Sequence, residues 1–225
     1  MSLGFRVLER RRSVTSEQVQ RYRSVPVAAI SDSMQRMTAA GSALRPMHKS
    51  GVLAGVALTV KCRPGDNLML HYALNIAQPG DVIVVDAGGD LTNALIGELM
   101  LAYARKKQLG GVVINGAVRD TASIAAGDFP VYARGVTHRG PYKHGPGEIN
   151  VPIAIDGMVI EAGDLIIGDA DGVLCVPFEH VEEVYELAYA RQLAEQDKLA
   201  AIAAGSNDRS WVLKALSAAG CQLPT

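Results

Sequence analysis

Apolar residues recur along this chain at two different spacings, and the switches between them mark out its elements. Val27, Ile30, Met34 and Met37 stand at helical spacing behind Pro26, a residue suited to a first helical turn, and predict a short helix with one apolar stripe. Ahead of it, Thr15 and Gln18 have the spacing of a capping box, so two short helices should open the chain. Val52 to Cys62, rich in small and β-branched residues, reads as a strand. Pro64-Gly65-Asp66 breaks it and caps a helix from about Asn67 to Ala77. Two runs do not alternate at all: Val82-Ile83-Val84-Val85, after the turn Pro79-Gly80-Asp81, and Val112-Val113-Ile114, after Gly110-Gly111. Strands that are apolar at every position are usually buried on both faces, as in a parallel sheet under helices. Between them lie a loop with Gly88-Gly89 and a helix running to about Gln108, a β-loop-α-β unit that is the clearest supersecondary signal here.

Beyond Asp120 the pattern predicts a short helix, a strand from Pro130 to Gly135, and a glycine- and proline-rich loop from Thr137 to Asn150. Val151 to Pro177 reads as short strands with turns at Asp156-Gly157, Ala162-Gly163-Asp164 and Asp171-Gly172, which suggests antiparallel pairing. In the long helix beyond them, Glu179, Glu182 and Glu183 crowd the first turn, where the helix dipole favours them. Gly205 stops it, and a last short helix is expected near Trp211 to Leu216. No repeat or linker interrupts the pattern, so the expected organisation is one α/β domain over residues 1–177 with a helical C-terminal extension over 178–225.

Composition excludes more than it suggests. The 22 basic and 23 acidic residues leave a net charge of -1, so no global field draws the chain to nucleic acid or a membrane surface. Aromatics at 5% also argue against base-stacking platforms. Cys62, Cys175 and Cys221 form no C-x-x-C pair, which points to reduced thiols in a cytoplasmic protein. No apolar run approaches the ~18 residues a membrane span needs. The N-terminus has Arg6 and Arg10 to Arg12 but lacks a signal peptide's apolar core.

The two continuous strands place the loops at their carboxyl ends side by side, and open α/β sheets bind ligands at that edge. The first loop leads to Gly97-Glu98-Leu99-Met100 at or near a helix start, and the second carries Asn115-Gly116-Ala117-Val118-Arg119-Asp120. Free N–H groups at a helix N-terminus suit a carboxylate or phosphate. An arginine can clamp a carboxylate or oxyanion with two bonds, and adjacent carboxylates with water suit a hard cation such as Mg²⁺. The plainer alternatives are a common α/β turn for Gly-Gly and a surface ion pair for Arg-Asp. No G-x-G-x-x-G, Walker loop, G-x-S-x-G elbow or H-E-x-x-H helix is present.

Taken together, Pro79 to Gly89, Gly97-Glu98-Leu99, Asn115 to Asp120, and Gly163-Asp164 through Asp169-Ala170-Asp171-Gly172-Val173 resemble the RraA-like family, over about Val27 to Pro177. That family includes 4-hydroxy-4-methyl-2-oxoglutarate/4-carboxy-4-hydroxy-2-oxoadipate aldolases and the regulators of ribonuclease activity A. Its pattern of an acid, twenty residues and Arg-Asp is met by Glu98 and Arg119-Asp120, with Glu in place of the commoner first Asp. The resemblance implies a swivelling-type β/β/α fold with a parallel central sheet, a second antiparallel sheet and flanking helices. It implies a class II pyruvate aldolase acting on a 2-oxo acid, with oxaloacetate decarboxylation as a side activity, assembled as a homotrimer or a dimer of trimers. Asp120 would hold Mg²⁺ or Mn²⁺ directly and Glu98 would hold it through water. Arg119 would lie against the substrate's keto oxygen. Backbone N–H groups around Leu99 and Met100, following Gly97, would take its carboxylate.

His138, Arg139, Lys143 and His144 form a basic group in the predicted loop, able to grip a second carboxylate or a neighbouring subunit, or simply solvated. His71 is expected to be a packed or surface residue, and Asp169 and Asp171 to be turn residues. Asp32 matches a further family position without an evident role. The rival function is a non-enzymatic regulator that binds a ribonuclease or its helicase partner. The long helix from about Phe178 to Ala204 resembles the aldolase branch instead. A methyltransferase reading finds no residues resembling a methyl-donor site.

Overall fold

The computed structural model describes residues 3–223, so positions 1, 2, 224 and 225 of the expected ranges lie outside the described residues. The chain opens with β1 (Phe5–Val7), α1 (Ser16–Tyr22), α2 (Val27–Ser33) and β2 (Arg45–Pro46). Its middle runs β3 (Leu53–Cys62), α3 (Leu68–Ile76), β4 (Asp81–Asp86), β5 (Ala94–Ile96), α4 (Glu98–Lys106), β6 (Gly111–Val118), α5 (Thr121–Ala126) and β7 (Val131–Val136). The last part runs β8 (Gly147–Ile149), β9 (Ile153–Ile155), β10 (Met158–Ile160), β11 (Leu165–Gly168), β12 (Val173–Val176), α6 (Val181–Ala203) and α7 (Ser210–Ala218).

A ten-stranded sheet is ordered β1-β8-β3-β4-β6-β7-β2, with β5 beside β6 and β11–β12 joined through β3. Its centre, β3-β4-β6-β7, is parallel, as the two continuous apolar runs require. β9 and β10 form the second, small antiparallel sheet. β11 and β12 pair antiparallel as well, but on β3, so they extend the large sheet.

β4 shows why its run does not alternate. Val82 and Val84 enter one core with Tyr22, Ile30, Ile155, Leu174 and Val181. Ile83 and Val85 enter the other, against Leu70 and Leu74 of α3, Leu101 and Ala104 of α4, and Ile124 of α5. The capping box forms as its spacing predicts, with the Gln18 amide donating to Thr15 and the Thr15 amide to Gln18. No helix among the described residues is long and apolar enough to cross a membrane.

Four local expectations change. The Gly88-Gly89 loop does not lead straight to the helix: Ala94 to Ile96 first pairs as a strand with β6, and α4 then starts at Glu98, where a helix start was expected. Asn115 to Val118 is not loop but the buried end of β6. The loop over 137–150 contains β8, held between β1 and β3. The apolar stripe of the second helix ends at the half-buried Met34. Left-handed Gln35 and Arg36 turn the chain away there, leaving Met37 exposed.

Candidate active site

Strand pairing creates the site. β5 lies parallel to β6, and the Arg119 amide donates to the Ile96 carbonyl at 3.1 Å, so both strands end together. The segments beyond the two ends therefore meet: Gly97 and α4 after β5, Arg119-Asp120 and α5 after β6. Asp120 is the N-cap of α5 in a left-handed conformation, φ 58 and ψ 39, which Asp tolerates better than most residues. That turn aims its carboxylate back across the gap. The Glu98 amide donates to Asp120 Oδ2 at 2.9 Å. Ser123 Oγ, one turn into α5, donates to Glu98 Oε1 at 2.8 Å. Arg119 Nε lies 3.7 Å from Asp120 Oδ2, and the two side chains are 44% and 41% exposed.

Gly97 is needed because of this approach. A Cβ there would lie 2.3 Å from Asp120 Oδ2 and 2.9 Å from Arg119 Cγ. The Gly97 carbonyl takes the Leu101 amide, while the Leu99 and Met100 amides, in the first turn of α4, have no intrahelical carbonyl to reach. The Leu99 side chain is 84% exposed, whereas Met100 packs on the core.

Two hollows flank Arg119 and Asp120. The smaller, about 160 Å³, is lined by Gly97, Leu99, Met100, Asn67, His71 and Lys143, among others. The wider, about 470 Å³, holds Glu98, Ser123, Thr137 and His138. The basic group expected from the sequence is thus divided: Lys143 faces the first hollow and His138 the second. Arg139 and His144 contribute main chain instead. The Arg139 carbonyl accepts from the Ala94 amide, and the His144 amide donates to Asp66.

His71 is half-buried on the wall of the smaller hollow. Burial, reinforced by Lys143, pushes its pKa below the usual value, which favours the neutral ring. Asn67, expected only as the start of a helix, is a wall residue that sequence reasoning missed. Its amide nitrogen donates to the Leu95 carbonyl at 2.8 Å, while its buried Oδ1 has no partner. A short polar residue after Pro-Gly-Asp carries no periodic signal by which it could have been found. Asp169 takes the Asp171 and Val27 amides, in keeping with a turn residue. Asp32 pairs with Arg36 and Arg191, tying α2 to α6.

No group of three His, Cys, Asp or Glu side chains gathers as a ready-made metal cage among the described residues. Asp120 and Glu98 nevertheless both line the wider hollow with hard carboxylate oxygens, and among the described residues Asp120 Oδ1 accepts no hydrogen bond. Such a donor set fits Mg²⁺, which keeps several waters and takes one or two carboxylates.

A family model described as RraA-like, Aldolase/RraA, matches residues 27–175. A Halalkalibacterium halodurans protein named "Putative 4-hydroxy-4-methyl-2-oxoglutarate aldolase" is 39% identical over 184 residues, covering 82% of this chain and 88% of its own length. A Cupriavidus necator protein of the same name is 38% identical over 130 residues, covering 58% of this chain and 78% of its own. Among solved structures, the RNA-processing inhibitor RraA from Thermus thermophilis superimposes with a TM-score of 0.64 at 29% identity, covering 68% of this chain and 93% of that one.

Proposed function

Because the chain belongs to the RraA-like, Aldolase/RraA, family, we propose that it is a divalent-metal-dependent aldolase that releases pyruvate from a 4-hydroxy-4-substituted 2-oxo di- or triacid. The observation that carries this reading is the meeting of Glu98, Arg119 and Asp120 beside the free amides of Leu99 and Met100. The names of the two bacterial relatives support it.

Cleavage removes the proton of the 4-hydroxyl and breaks the C3–C4 bond. The electron pair passes into the 2-oxo group as a pyruvate enolate, a second carbonyl product leaves, and C3 is then protonated. Negative charge thus develops on the 2-oxo oxygen, and a preorganised cation aimed there stabilises the transition state more than the ground state. Arg119 is that cation in this reading. The substrate carboxylate takes the Leu99 and Met100 amides, where the positive end of α4 favours it. Asp120 would hold Mg²⁺ or Mn²⁺ directly, and Glu98, oriented by Ser123, would hold it through water. When bound, the ion would supply further positive charge to stabilise the enolate. Loss of carbon dioxide from oxaloacetate gives the same enolate, so the same groups would support that decarboxylation.

The fold shared with an RNA-processing inhibitor favours a second reading, a regulator without catalysis. The higher sequence identity of the Halalkalibacterium relative, 39% against 29% for the inhibitor, favours the aldolase. A trimer or pair of trimers belongs to the same proposal. Leu99, Val136 and Tyr142, exposed around the site, would be covered by a second copy, and light scattering would report the mass.

The deciding assay is pyruvate release from a panel of 4-hydroxy-2-oxo acids and oxaloacetate. We expect turnover with Mg²⁺ and none in EDTA. Full turnover without metal would refute the metal's role, and no turnover on any substrate would refute the aldolase.

A further inference from the structure

Part of the wall of the smaller hollow belongs to a strap, residues 139–146, with no helix or strand of its own beyond a single bridge at Tyr142. Such a segment keeps one shape only where other parts of the chain bind it. At its near end the Ala94 amide donates to the Arg139 carbonyl at 2.8 Å, and Asn93 Nδ2 to the Gly140 carbonyl at 2.5 Å. In the middle the Tyr142 amide donates to the Gly65 carbonyl, and the Asn67 amide to the Tyr142 carbonyl.

At its far end the anchor is a carboxylate. Asp66 is 2% exposed, and among the described residues it pairs with no Lys or Arg. It accepts three backbone amides instead: Leu68, at the start of α3, on Oδ1 at 2.9 Å, and His144 and Gly145 on Oδ2 at 2.6 and 2.9 Å. Burial opposes the charge, but these amides and the nearby His144 outweigh it and hold the pKa below the usual carboxylate range. Asp66 is therefore ionised at neutral pH, which gives it charge-assisted bonds to both segments.

We propose that Asp66 is a positioning residue: by gripping the strap and the start of α3 together, it fixes Pro141 and Lys143 beside Asn67 and His71 in the lining of the hollow. Asp66 itself does not line the hollow. The proposal rests on the reading that this hollow takes the 2-oxo acid. Arg119, Asp120 and Glu98 follow β5 and β6, which Asp66 does not bind, and Arg119 meets the strap only near Gly140, at the end held by Asn93, so release at Asp66 leaves the chemical step in place.

Asp66→Asn keeps the shape but turns one acceptor oxygen into a donor facing amide N–H groups. The expected result is a KM raised at least ~10-fold, the scale of one lost hydrogen bond to a charged group, with kcat within about threefold of the parent. Hydrogen exchange supplies a readout independent of activity. The amides that face the new NH₂ group, Leu68 in one flip of the side chain or His144 and Gly145 in the other, should exchange at least ~10-fold faster in the variant. Parent-like exchange at these amides, or a kcat that falls while KM stays, would overturn the proposal. Asn93→Ala releases the same strap at its other end, where Gly140 lies beside Arg119, and should raise KM as well, with faster exchange over 140–145. If Asp66→Asn does not fold, Asn93→Ala decides alone: parent-like KM and exchange refute the strap's role. A parent protein that releases no pyruvate would sink the aldolase reading, while the exchange measurement would still test the anchor.

Discussion

Replacing Gly97 with alanine would move the two proposed catalytic groups without deleting either. Gly97 lies at φ -151 and ψ -169, extended backbone that alanine adopts freely, so the substitution adds no backbone strain. Its new Cβ would lie 2.3 Å from Asp120 Oδ2, 2.9 Å from Arg119 Cγ and 3.1 Å from Arg119 Nε. Even close carbon–oxygen contacts sit at about 3.3 Å, so the carboxylate must retreat by about 1 Å. Both neighbours are partly exposed side chains with room to move, and the fold should survive. The retreat breaks the 2.9 Å bond from the Glu98 amide and carries the Asp120 oxygens away from where an ion and substrate would meet them. A misplacement of ~1 Å can cost ~10²-fold in rate, and that is the expected loss in kcat/KM for pyruvate release. Thermal unfolding and circular dichroism, measured alongside, should match the parent. A folded Gly97→Ala variant within about threefold of the parent rate, far from that ~10²-fold, would show that catalysis does not depend on this placement.

Arg119→Lys keeps the charge but loses the planar fork. Its kcat should fall ~10²-fold or more, as on losing an oxyanion donor, and a near-normal kcat would remove Arg119 from the transition state. Asp120→Ala should lose Mn²⁺ binding and activity together by titration calorimetry, whereas Glu98→Ala should weaken both by only ~10–100-fold, the usual cost of a group acting through water. Parent-like Mn²⁺ binding in Asp120→Ala would place the metal elsewhere. Glu98→Asp should retain substantial activity. Burial pushes the Cys62 thiol up to about 12 and Cys175 well above its usual value, while Cys221 is exposed. Because the thiolate is the reactive form, a maleimide at neutral pH should label one of the three cysteines natively and all of them in denaturant.

Legibility in the sequence tracks its periodicity. β4 and β6 could be placed because both faces of each are buried, so nothing but apolar residues fits them. β5 and β8 are three residues each and exist only through partners. Ala94 pairs with Ala117, and Gly147 pairs with Phe5 on one side and Cys62 on the other. No local pattern encodes a pairing across that much chain. The same holds at the site. Glu98 and Arg119-Asp120 were found through their spacing and a family resemblance. Asn67 and Asn93 were missed, and Lys143 was singled out only within a basic loop group, because their positions depend on how distant segments fold together.

The acids show how a structural carboxylate can be told from a candidate functional one, a distinction that sequence spacing does not carry. Asp66, Asp81 and Asp164 are each 2% exposed, and each is surrounded by donors. Asp81 takes Arg10 and the Gln78 amide; Asp164 takes the Glu161 and Phe178 amides with Arg12 nearby. Their lone pairs are committed to holding the chain, and removing such a carboxylate would leave buried donors without a partner. Asp120 and Glu98 differ in kind. Among the described residues each carboxylate accepts one protein hydrogen bond through one oxygen, Asp120 from the Glu98 amide and Glu98 from Ser123, and each is open to solvent. Those bonds fix where the carboxylates point without consuming their capacity to bind. Ligation needs both conditions, orientation and unspent lone pairs, and the turn at left-handed Asp120 provides them beside a guanidinium and a helix N-terminus.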